Sequence, residues 1–368
     1  RSLVGSEMCI RDRMKILHVY PQLMCGGTET VFYSIVKASD KTKFQYDILV
    51  QRSGQQEHIF QKQGCRIITI PYENSKQYHK ALATFFSKNK YQAVHCHMFP
   101  EMDIVLEEAR KARIPHCISH SHNARIDIPK ILWPLRYFKH HKYEKFATDL
   151  WGCSEIALKW LFPCRWKEGV VIYNGIDLDA FQFDADVRKQ YREKLKVQDD
   201  TKVVINVGRC TDQKNQNFIL DCAKTLIDDN ILFIIIGEGP LMDSLQTRVE
   251  KENISNVRML GKQFDVPQWL CAADLFMFPS IYEGLGIVAI EAQANGLPVL
   301  STDSIPLEAD MHMGLFHRIP LENVEEWNTM LCDTSLNAEM RKIKSTEAYN
   351  SKYNIKNVVK EVEHIYAK

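Results

Sequence analysis

Short apolar segments alternate with segments of helical spacing along most of this chain, and glycines lie in several of the turns between them. The pattern predicts strands at 16–20, 46–50, 66–70, 93–96, 116–119 and 150–152, and a second set at 203–207, 232–236, 257–260, 275–278 and 299–301. Strands that alternate with helices form parallel sheets covered on both faces. We therefore predict an α/β fold with two Rossmann-like, doubly wound parallel-sheet domains that face a central cleft, where ligands bind at the strand ends.

The predicted domains follow from where the two sets of strands begin and end. A length of 368 residues accommodates two domains of ordinary size. We assign 14–169 to the first domain, 170–345 to an interdomain crossing and the second domain, and 346–368 to a final helix. The strand pattern begins at Met14, and residues 1–13 lack the apolar core of a signal peptide, so we interpret them as a non-native leader.

Composition limits the class of protein. The 47 Lys and Arg residues nearly balance the 46 Asp and Glu residues, which argues against nucleic acid as a partner. The 11 cysteines include no Cys-x-x-Cys pair and are predicted to be reduced thiols. No apolar run is as long as a membrane-spanning helix. These features predict a cytoplasmic enzyme.

The segment 279–298 places two carboxylates around a glycine turn that opens a helix. Gly284 and Gly286 form the turn, and helical spacing begins at Ile287. Free amides at the start of a helix attract phosphate oxygens, and Glu283 and Glu291 could accept hydrogen bonds from sugar or ribose hydroxyls. The pattern predicts a sugar-nucleotide site. The alternative is that Glu283 only favours the helix start and Glu291 is a solvated helix residue.

A basic loop follows the predicted strand 203–207. It contains Arg209 and Lys214, which could reach into the same site and neutralise the diphosphate charge that develops when a sugar–phosphate bond breaks. A divalent metal otherwise fills that role, so we predict a metal-independent reaction with no cofactor. The alternative is an ordinary loop with solvated charges.

The first glycine loop contains Gly26 and Gly27, whose backbone could approach a donor phosphate closely. It lacks the Gly-x-Gly-x-x-Gly spacing of a dinucleotide-binding fold, which argues against an oxidoreductase. Glu29 is expected to stabilise the start of the following helix.

Histidines lie at the ends of two predicted strands. His95 and His97 could bind zinc, but no further ligand lies nearby in the sequence, so we interpret them as polar residues on the acceptor side of the cleft, together with His122 and Asn123. The pairs Asp177/Asp179 and Asp184/Asp186 have metal-ligand spacing but are expected to serve as turn or cap residues.

Residues 125–145 are rich in basic and aromatic side chains. Such a segment could lie on an anionic membrane, with its rings at the interface and its cations on lipid headgroups. The alternative is a domain helix with a solvated basic face and an aromatic core face.

Taken together in this order, the motifs resemble the family-4 glycosyltransferases, retaining enzymes of the GT-B type, and especially bacterial enzymes of capsule and exopolysaccharide assembly. The likeness covers nearly the whole chain. The motifs that carry it are Gly26-Gly27-Thr28-Glu29, Ser119-His-Ser-His-Asn123, Val207-Gly-Arg-Cys-Thr-Asp-Gln-Lys-Asn215, Gly237-Glu-Gly-Pro240 and the segment 283–291.

The resemblance implies transfer of a sugar from a nucleotide-sugar, most simply a UDP-sugar, to a saccharide or a polyprenyl-diphosphate-linked acceptor. It implies that the final helix returns to the first domain. It also places a histidine of the 119–123 loop on the donor sugar and at the reaction centre; both His120 and His122 could fill this role, and we favour His120. Competing interpretations are a GT-B sugar-nucleotide epimerase and a non-catalytic, two-lobed sugar-binding protein. The implied catalytic residues are His120, Arg209, Lys214 and Glu283, and the implied donor-binding residues also include Gly26, Gly27, Gly237, Gly239, Gly284, Leu285, Gly286, Ile287 and Glu291.

Overall fold

The computed structural model describes residues 13–24, 26–97, 101–122 and 133–368. They divide into two compact units. The first contains the described residues up to Ile176 together with Ile355–Lys368, and the second contains Asp177–Asn354.

The first unit is built on a seven-stranded sheet in the order β3-β2-β1-β4-β5-β6-β7, in which every neighbouring pair is parallel. Its strands are β1 (Met14–Tyr20), β2 (Phe44–Val50), β3 (Arg66–Thr69), β4 (Ala93–Cys96), β5 (His116–Ser121), β6 (Asp149–Gly152) and β7 (Val170–Val171).

The second unit is built on a six-stranded parallel sheet in the order β10-β9-β8-β11-β12-β13. Each sheet therefore places its first strand beside its second and fourth strands, which is the doubly wound order. The prediction of two such sheets is confirmed. The strands are β8 (Lys202–Val207), β9 (Ile231–Ile236), β10 (Val257–Gly261), β11 (Leu275–Phe278), β12 (Val299–Ser301) and β13 (Phe316–Arg318).

Helices connect the strands as parallel neighbours require. In the first unit they are α1 (Gly27–Ala38), α2 (Glu57–Lys62), α3 (Ser75–Lys88), α4 (Met102–Lys111), α5 (Trp133–Phe146), α6 (Glu155–Leu161) and, after the second unit, α14 (Ile355–Tyr366). In the second unit they are α7 (Ala185–Leu195), α8 (Gln216–Thr225), α9 (Met242–Lys251), α10 (Val266–Ala272), α11 (Ile287–Ala294), α12 (Val324–Asp333) and α13 (Ala338–Glu347).

The central strands are apolar on both faces because helices cover both sides of each sheet. In β9, all six residues are buried. β8 and β11 are also buried along most of their length, and they pair directly. The loops that follow these two strands therefore begin side by side.

The unit boundaries lie later than the predicted ones. Val170–Val171 pairs with β6, so the first sheet continues beyond residue 169. The final helix begins at Ile355 rather than at 346, because α13 continues to Glu347 and the Tyr353 hydroxyl then donates to the carbonyl of Glu308 within the second unit. Residues 1–12 of the predicted leader lie outside the described residues.

Helix α14 belongs to the first unit. It packs on α1, and the Glu363 carboxylate accepts a hydrogen bond of 2.8 Å from the backbone N–H of Asp40, just after α1 ends. Tyr366 is fully buried. None of the helices in the described ranges is both long enough and apolar enough to cross a membrane.

Candidate functional site

Two neighbouring loops of the second unit hold half of the predicted donor-binding residues. The loop after β8 contains a short 3-10 helix, Asp212–Lys214, and Asn215 follows with φ of 53°. The backbone N–H of Ile281 donates to the carbonyl of Gln213 at 2.8 Å, and the Gln213 side chain donates to the carbonyl of Tyr282 at 2.9 Å. These bonds hold the β8 loop against the loop that follows β11.

Lys214 and Glu283 form an ion pair across these loops. The distance from Lys214 Nζ to Glu283 Oε1 is 2.6 Å, and the two side chains are 18% and 10% exposed. Lys214 Nζ also lies 5.4 Å from the ring centroid of Phe278, at the end of β11. The predicted phosphate cation and the predicted sugar-binding carboxylate therefore neutralise each other in the free protein.

Arg209 differs from Lys214 in having no ion-pair partner among the described residues. Its side chain is exposed, whereas its backbone carbonyl accepts a hydrogen bond of 3.1 Å from the Gln216 side chain. The backbone is thus held in place while the guanidinium stays available. An exposed guanidinium with five N–H donors is suited to a phosphate.

Gly237 and Gly239 pack against the backbone of the β8 loop. A Cβ on Gly237, which has φ of 144°, would lie 1.9 Å from the carbonyl oxygen of Gly208. A Cβ on Gly239 would lie 2.5 Å from the carbonyl oxygen of Cys210. These glycines allow the loop that carries Arg209 to pass closely, which is a role that the sequence prediction of direct donor contact did not include.

Helix α11 begins at the second glycine turn. Gly286 has φ of 88°, and a Cβ there would lie 2.9 Å from the Phe278 ring. No side chain in the described residues caps this helix. Gly284 and Ile287 are partly exposed, whereas Leu285 is buried. The first amides of α11 are therefore suited to an anion, as at other helix N-termini.

Glu291 lies one helical turn into α11. Burial raises the pKa of its carboxyl group to about 8. The carboxyl group has no hydrogen-bond or ion-pair partner within the described ranges. The residue is only partly exposed, so its carboxyl group is neither fully solvated nor paired with a described side chain.

The first glycine loop opens α1 in the first unit. Gly26 is the N-cap, and the Glu29 carboxylate accepts a hydrogen bond of 3.2 Å from the backbone N–H of Met24. A Cβ on Gly26 would lie 2.5 Å from Glu29 Oε2, so a larger residue there would displace the Glu29 carboxylate. Gly27 is the first helical residue. Glu29 holds the loop and the helix start together, which agrees with its expected role.

Five histidines come together at the carboxyl ends of β1, β4 and β5. His18 Nδ1 lies 3.0 Å from His97 Nε2, and His97 Nδ1 lies 2.7 Å from His122 Nε2. His95 Nε2 lies 2.9 Å from His120 Nδ1. Strand pairing explains the grouping. His18 in β1 is opposite His95 in β4. His95 and His97 are two residues apart, as are His120 and His122, so the two histidines of each pair point to the same face.

Burial keeps the five imidazoles neutral. It lowers the pKa of His18, His95, His97 and His120 well below the usual value, and neighbouring imidazoles lower those of the last three further. Burial also lowers the pKa of His122 to about 4. The cavity between the rings measures about 10 Å³ and is otherwise lined mainly by apolar side chains.

The structure adds to one interpretation of the sequence. His95 and His97 have no further potential metal ligand nearby in the sequence, but His18, His120 and His122 lie beside them in the fold. Sequence reasoning missed His18, although its position in β1, opposite His95 in β4, could have indicated that it belongs to the cluster. Most of the ring nitrogens are engaged with one another.

Other predicted residues lie elsewhere. Asp184 caps α7 by accepting from the amides of Asp186 and Val187, as expected of a cap residue. Asn123 lies outside the described residues.

Helix α5 carries part of the basic and aromatic segment, and residues 125–132 lie outside the described ranges. Tyr143 is fully buried, whereas Tyr137 and Phe138 are each 58% exposed. Lys142 Nζ lies 5.2 Å from the Phe138 ring centroid. Tyr143 therefore faces the core, as in the alternative of a domain helix with an aromatic core face, whereas Tyr137 and Phe138 do not.

Residues 187–312 match the family described as "Glycosyl transferases group 1". The match covers about a third of the chain and lies within the second unit. The chain is an enzyme of the glycosyltransferase class. The matched range includes Arg209, Lys214, Glu283 and Glu291, together with the two glycine turns of the second unit.

Relatives of this glycosyltransferase extend over most of its length. EpsF of Bacillus subtilis (strain 168), which is named as a glycosyltransferase, is 29% identical over 333 residues, 86% of each chain. The Escherichia coli UDP-Gal:alpha-D-GlcNAc-diphosphoundecaprenol alpha-1,3-galactosyltransferase is 28% identical over 313 residues, 78% of this chain and 79% of that enzyme.

The fold of this glycosyltransferase also matches solved structures. Anabaena Alr3699/HepE, crystallised in complex with UDP, superposes with a TM-score of 0.82 at 17% identity, covering 96% of this chain and 100% of that chain. At this identity the likeness shows the fold, which is of the GT-B class with two parallel-sheet α/β domains.

Proposed function

We propose that the protein is a retaining glycosyltransferase that transfers a sugar from a UDP-sugar to a hydroxyl of a saccharide or lipid-linked saccharide during polysaccharide biosynthesis in the cytoplasm. The observation that carries the proposal is the Lys214–Glu283 ion pair beside the unpaired Arg209, at adjacent strand ends of the matched domain. A donor that brings a diphosphate and sugar hydroxyls offers a partner to each of these three side chains.

Two comparisons support the choice of donor and acceptor. The name of the E. coli relative specifies UDP-galactose as donor and a diphosphoundecaprenol-linked sugar as acceptor. The Anabaena structure of similar fold contains UDP. We extend the uridine donor and the lipid-linked acceptor to this chain as proposals.

Each of the candidate donor-site residues in the second unit is assigned a role from its surroundings. Arg209 binds the diphosphate as a free cation. Lys214 turns from Glu283 toward the phosphate when charge develops there, and Glu283 then accepts hydrogen bonds from the transferred sugar. The amides that begin α11 bind a phosphate oxygen, and Glu291 binds the ribose hydroxyls.

The proposed reaction keeps the configuration at the sugar. The bond between the anomeric carbon and the donor phosphate oxygen breaks, and the acceptor hydroxyl attacks from the same face. The leaving phosphate oxygen takes the hydroxyl proton as the new glycosidic bond forms. Arg209 and Lys214 stabilise the diphosphate charge, so the proposal needs neither a divalent metal nor a resident cofactor. His120 is proposed to contact the donor sugar.

The proposed acceptor also gives helix α5 a partner. Its exposed Tyr137 and Phe138 lie beside Lys142 and Lys145, a combination that suits the interface of an anionic membrane. Peripheral binding there would bring the enzyme to a lipid-linked acceptor.

A screen of nucleotide-sugars tests the proposal. Each donor is incubated with and without saccharide acceptors, and product mass and anomeric configuration are recorded, with an Arg209→Ala variant as the inactive control. We expect transfer with retained configuration from a UDP-sugar, and unchanged activity in a strong chelator. Donor turnover to an isomeric nucleotide-sugar without acceptor would indicate an epimerase. Binding without turnover would indicate a sugar-binding protein, and an inverted product would exclude the retaining mechanism.

A further inference from the structure

The five histidines and Tyr366 form one continuous hydrogen-bonded chain. Starting at one end, His120 contacts His95 at 2.9 Å, and His95 Nδ1 contacts the Tyr366 hydroxyl at 2.7 Å. The hydroxyl also lies 3.3 Å from His18 Nε2. His18 continues to His97 at 3.0 Å and His97 to His122 at 2.7 Å. Tyr366, from helix α14, therefore joins two separate runs of imidazoles.

The two ends of this chain are buried nitrogens with no partner. They are His120 Nε2 and His122 Nδ1, which have no hydrogen bond to any of the described residues. The two rings are neighbours, with centroids 4.0 Å apart. A buried polar atom without a partner is costly, so the pair of ends indicates a site for a ligand.

Counting protons determines the character of these ends. A neutral imidazole carries one N–H and one unprotonated nitrogen, and a phenol carries one O–H. The six groups thus supply six protons, and the five contacts between them use five. One proton remains for the two ends. One end nitrogen is therefore a donor and the other is an acceptor.

The count also links the tautomers of all five rings. If His120 Nε2 carries the remaining proton, every contact along the chain requires the proton on Nε2. If His122 Nδ1 carries it, every contact requires the proton on Nδ1. Mixed tautomers would leave one contact with two protons or with none.

We propose that Tyr366 couples the tautomers of the five histidines, so that all carry their proton on the same ring position and His120 and His122 together offer one donor and one acceptor to a single oxygen ligand. The ligand is a water molecule or one hydroxyl group, because either can donate to one nitrogen and accept from the other. A cavity of about 10 Å³ is close to the least volume that holds a water. Tyr366 is a positioning residue, since it acts on His120 through His95.

The spectroscopic test does not depend on enzymatic activity. Protein labelled with ¹⁵N histidine is examined at pH 7 by two-bond ¹H–¹⁵N correlation NMR, which distinguishes the two neutral tautomers, and signals are assigned with single His→Gln variants. We expect the five cluster rings to be neutral and to share one tautomer. A mixture of tautomers among them, or an imidazolium ring, would overturn the proposal.

Tyr366→Phe tests the coupling itself. Loss of the hydroxyl divides the chain into His120–His95 and His18–His97–His122, and we expect the tautomer populations of at least one part to change. Tyr46→Phe is the matched control: Tyr46 is buried beside His18, with ring centroids 5.7 Å apart, but its hydroxyl bonds to Ser39. Unchanged populations in both parts of the Tyr366 variant would contradict the coupling.

Metal content and steady-state kinetics provide two further tests. Stoichiometric transition metal bound by the cluster in purified protein would overturn the proposal, because a metal takes the unprotonated nitrogens that the chain requires. The kinetic consequence rests on the proposed function: Tyr366→Phe should lower kcat about tenfold with KM nearly unchanged, as expected for loss of one positioning hydrogen bond. If the protein does not catalyse the proposed reaction, the NMR measurement still shows which nitrogen of each cluster histidine carries the proton.

Discussion

Lys214 and Glu283 are 69 residues apart in sequence and form an ion pair of 2.6 Å between two neighbouring loops. The pair joins a residue expected on the diphosphate to one expected on the sugar. Because the charges cancel before the donor arrives, donor binding must exchange this contact for contacts with the ligand. The free protein thus holds both side chains close to the places where they are proposed to act.

Substitution of either partner should affect turnover, and the two effects should not add. Lys214→Ala is expected to reduce kcat by about a hundredfold or more, because a cation that stabilises developing phosphate charge is lost. Glu283→Gln should slow transfer or alter the preferred sugar. The double variant should lose less than the product of the single losses, since the residues are in contact. Fully multiplicative losses would mean that the pair does not act together.

Arg209→Ala should reduce turnover by about a hundredfold while leaving the melting temperature nearly unchanged. The reason is that the guanidinium is exposed and makes no ion pair within the described ranges, so its removal leaves no buried charge unpaired. Lys251→Ala, which removes an exposed charge from the end of α9, is the control. Near-normal turnover of the Arg209 variant would remove it from the donor site.

Glu291→Gln should mainly weaken UDP binding and leave kcat at saturating donor little changed. A ribose contact is made equally in the ground state and the transition state, so its loss appears in affinity. Calorimetric titration of UDP measures the effect, with Glu250→Gln on the surface of α9 as the control. Equal affinity for UDP in the wild-type protein and the Glu291 variant would exclude the ribose role.

Glu291 should also make stability depend on pH. Its pKa is about 8 in the folded protein against an ordinary value of 4.5, so the folded state holds the proton more tightly than the unfolded state. Stability from this group is complete below pH 4.5 and is lost as the pH rises through 8. Glu291→Gln should therefore raise the melting temperature at about pH 8.5 and change it little near pH 5. Parallel melting curves across this range would contradict the burial of this carboxyl group.

The protein should sediment with vesicles that contain anionic lipid, and added salt should weaken the binding. Exposed charges are screened within about 8–10 Å near physiological ionic strength. Changing Lys139, Lys142 and Lys145 to Ser should reduce sedimentation without changing transfer to a short soluble acceptor, and Phe138→Ser should reduce it further. Equal sedimentation with neutral and anionic vesicles, or none with either, would leave α5 as an ordinary surface helix.

The sheets could be predicted from sequence because their strands are apolar on both faces and glycines punctuate the turns between them. Two short strands could not. β7 has two residues and β13 has three, and both are defined by their pairing with a neighbouring strand.

The site was predicted in part for a related reason. Arg209, Lys214 and Glu283 lie in loops that follow a strong strand, so their placement at a strand end is readable, and helical spacing places Glu291 in the helix that comes next. Their partnerships are not, because the Lys214–Glu283 contact depends on which strands are neighbours. His18 was missed for the same reason: a single histidine in a strand has meaning only when the adjacent strands carry others.

Helix α14 completes the first unit although the whole second unit, residues 177–354, precedes it in the chain. During synthesis on the ribosome, residues up to Ile176 therefore emerge well before the helix that places Tyr366 beside Phe44 and among the histidines. The first unit therefore lacks helix α14, which packs on α1, while the second unit is synthesised. The order of translation thus makes the histidine chain one of the last features of the molecule to form.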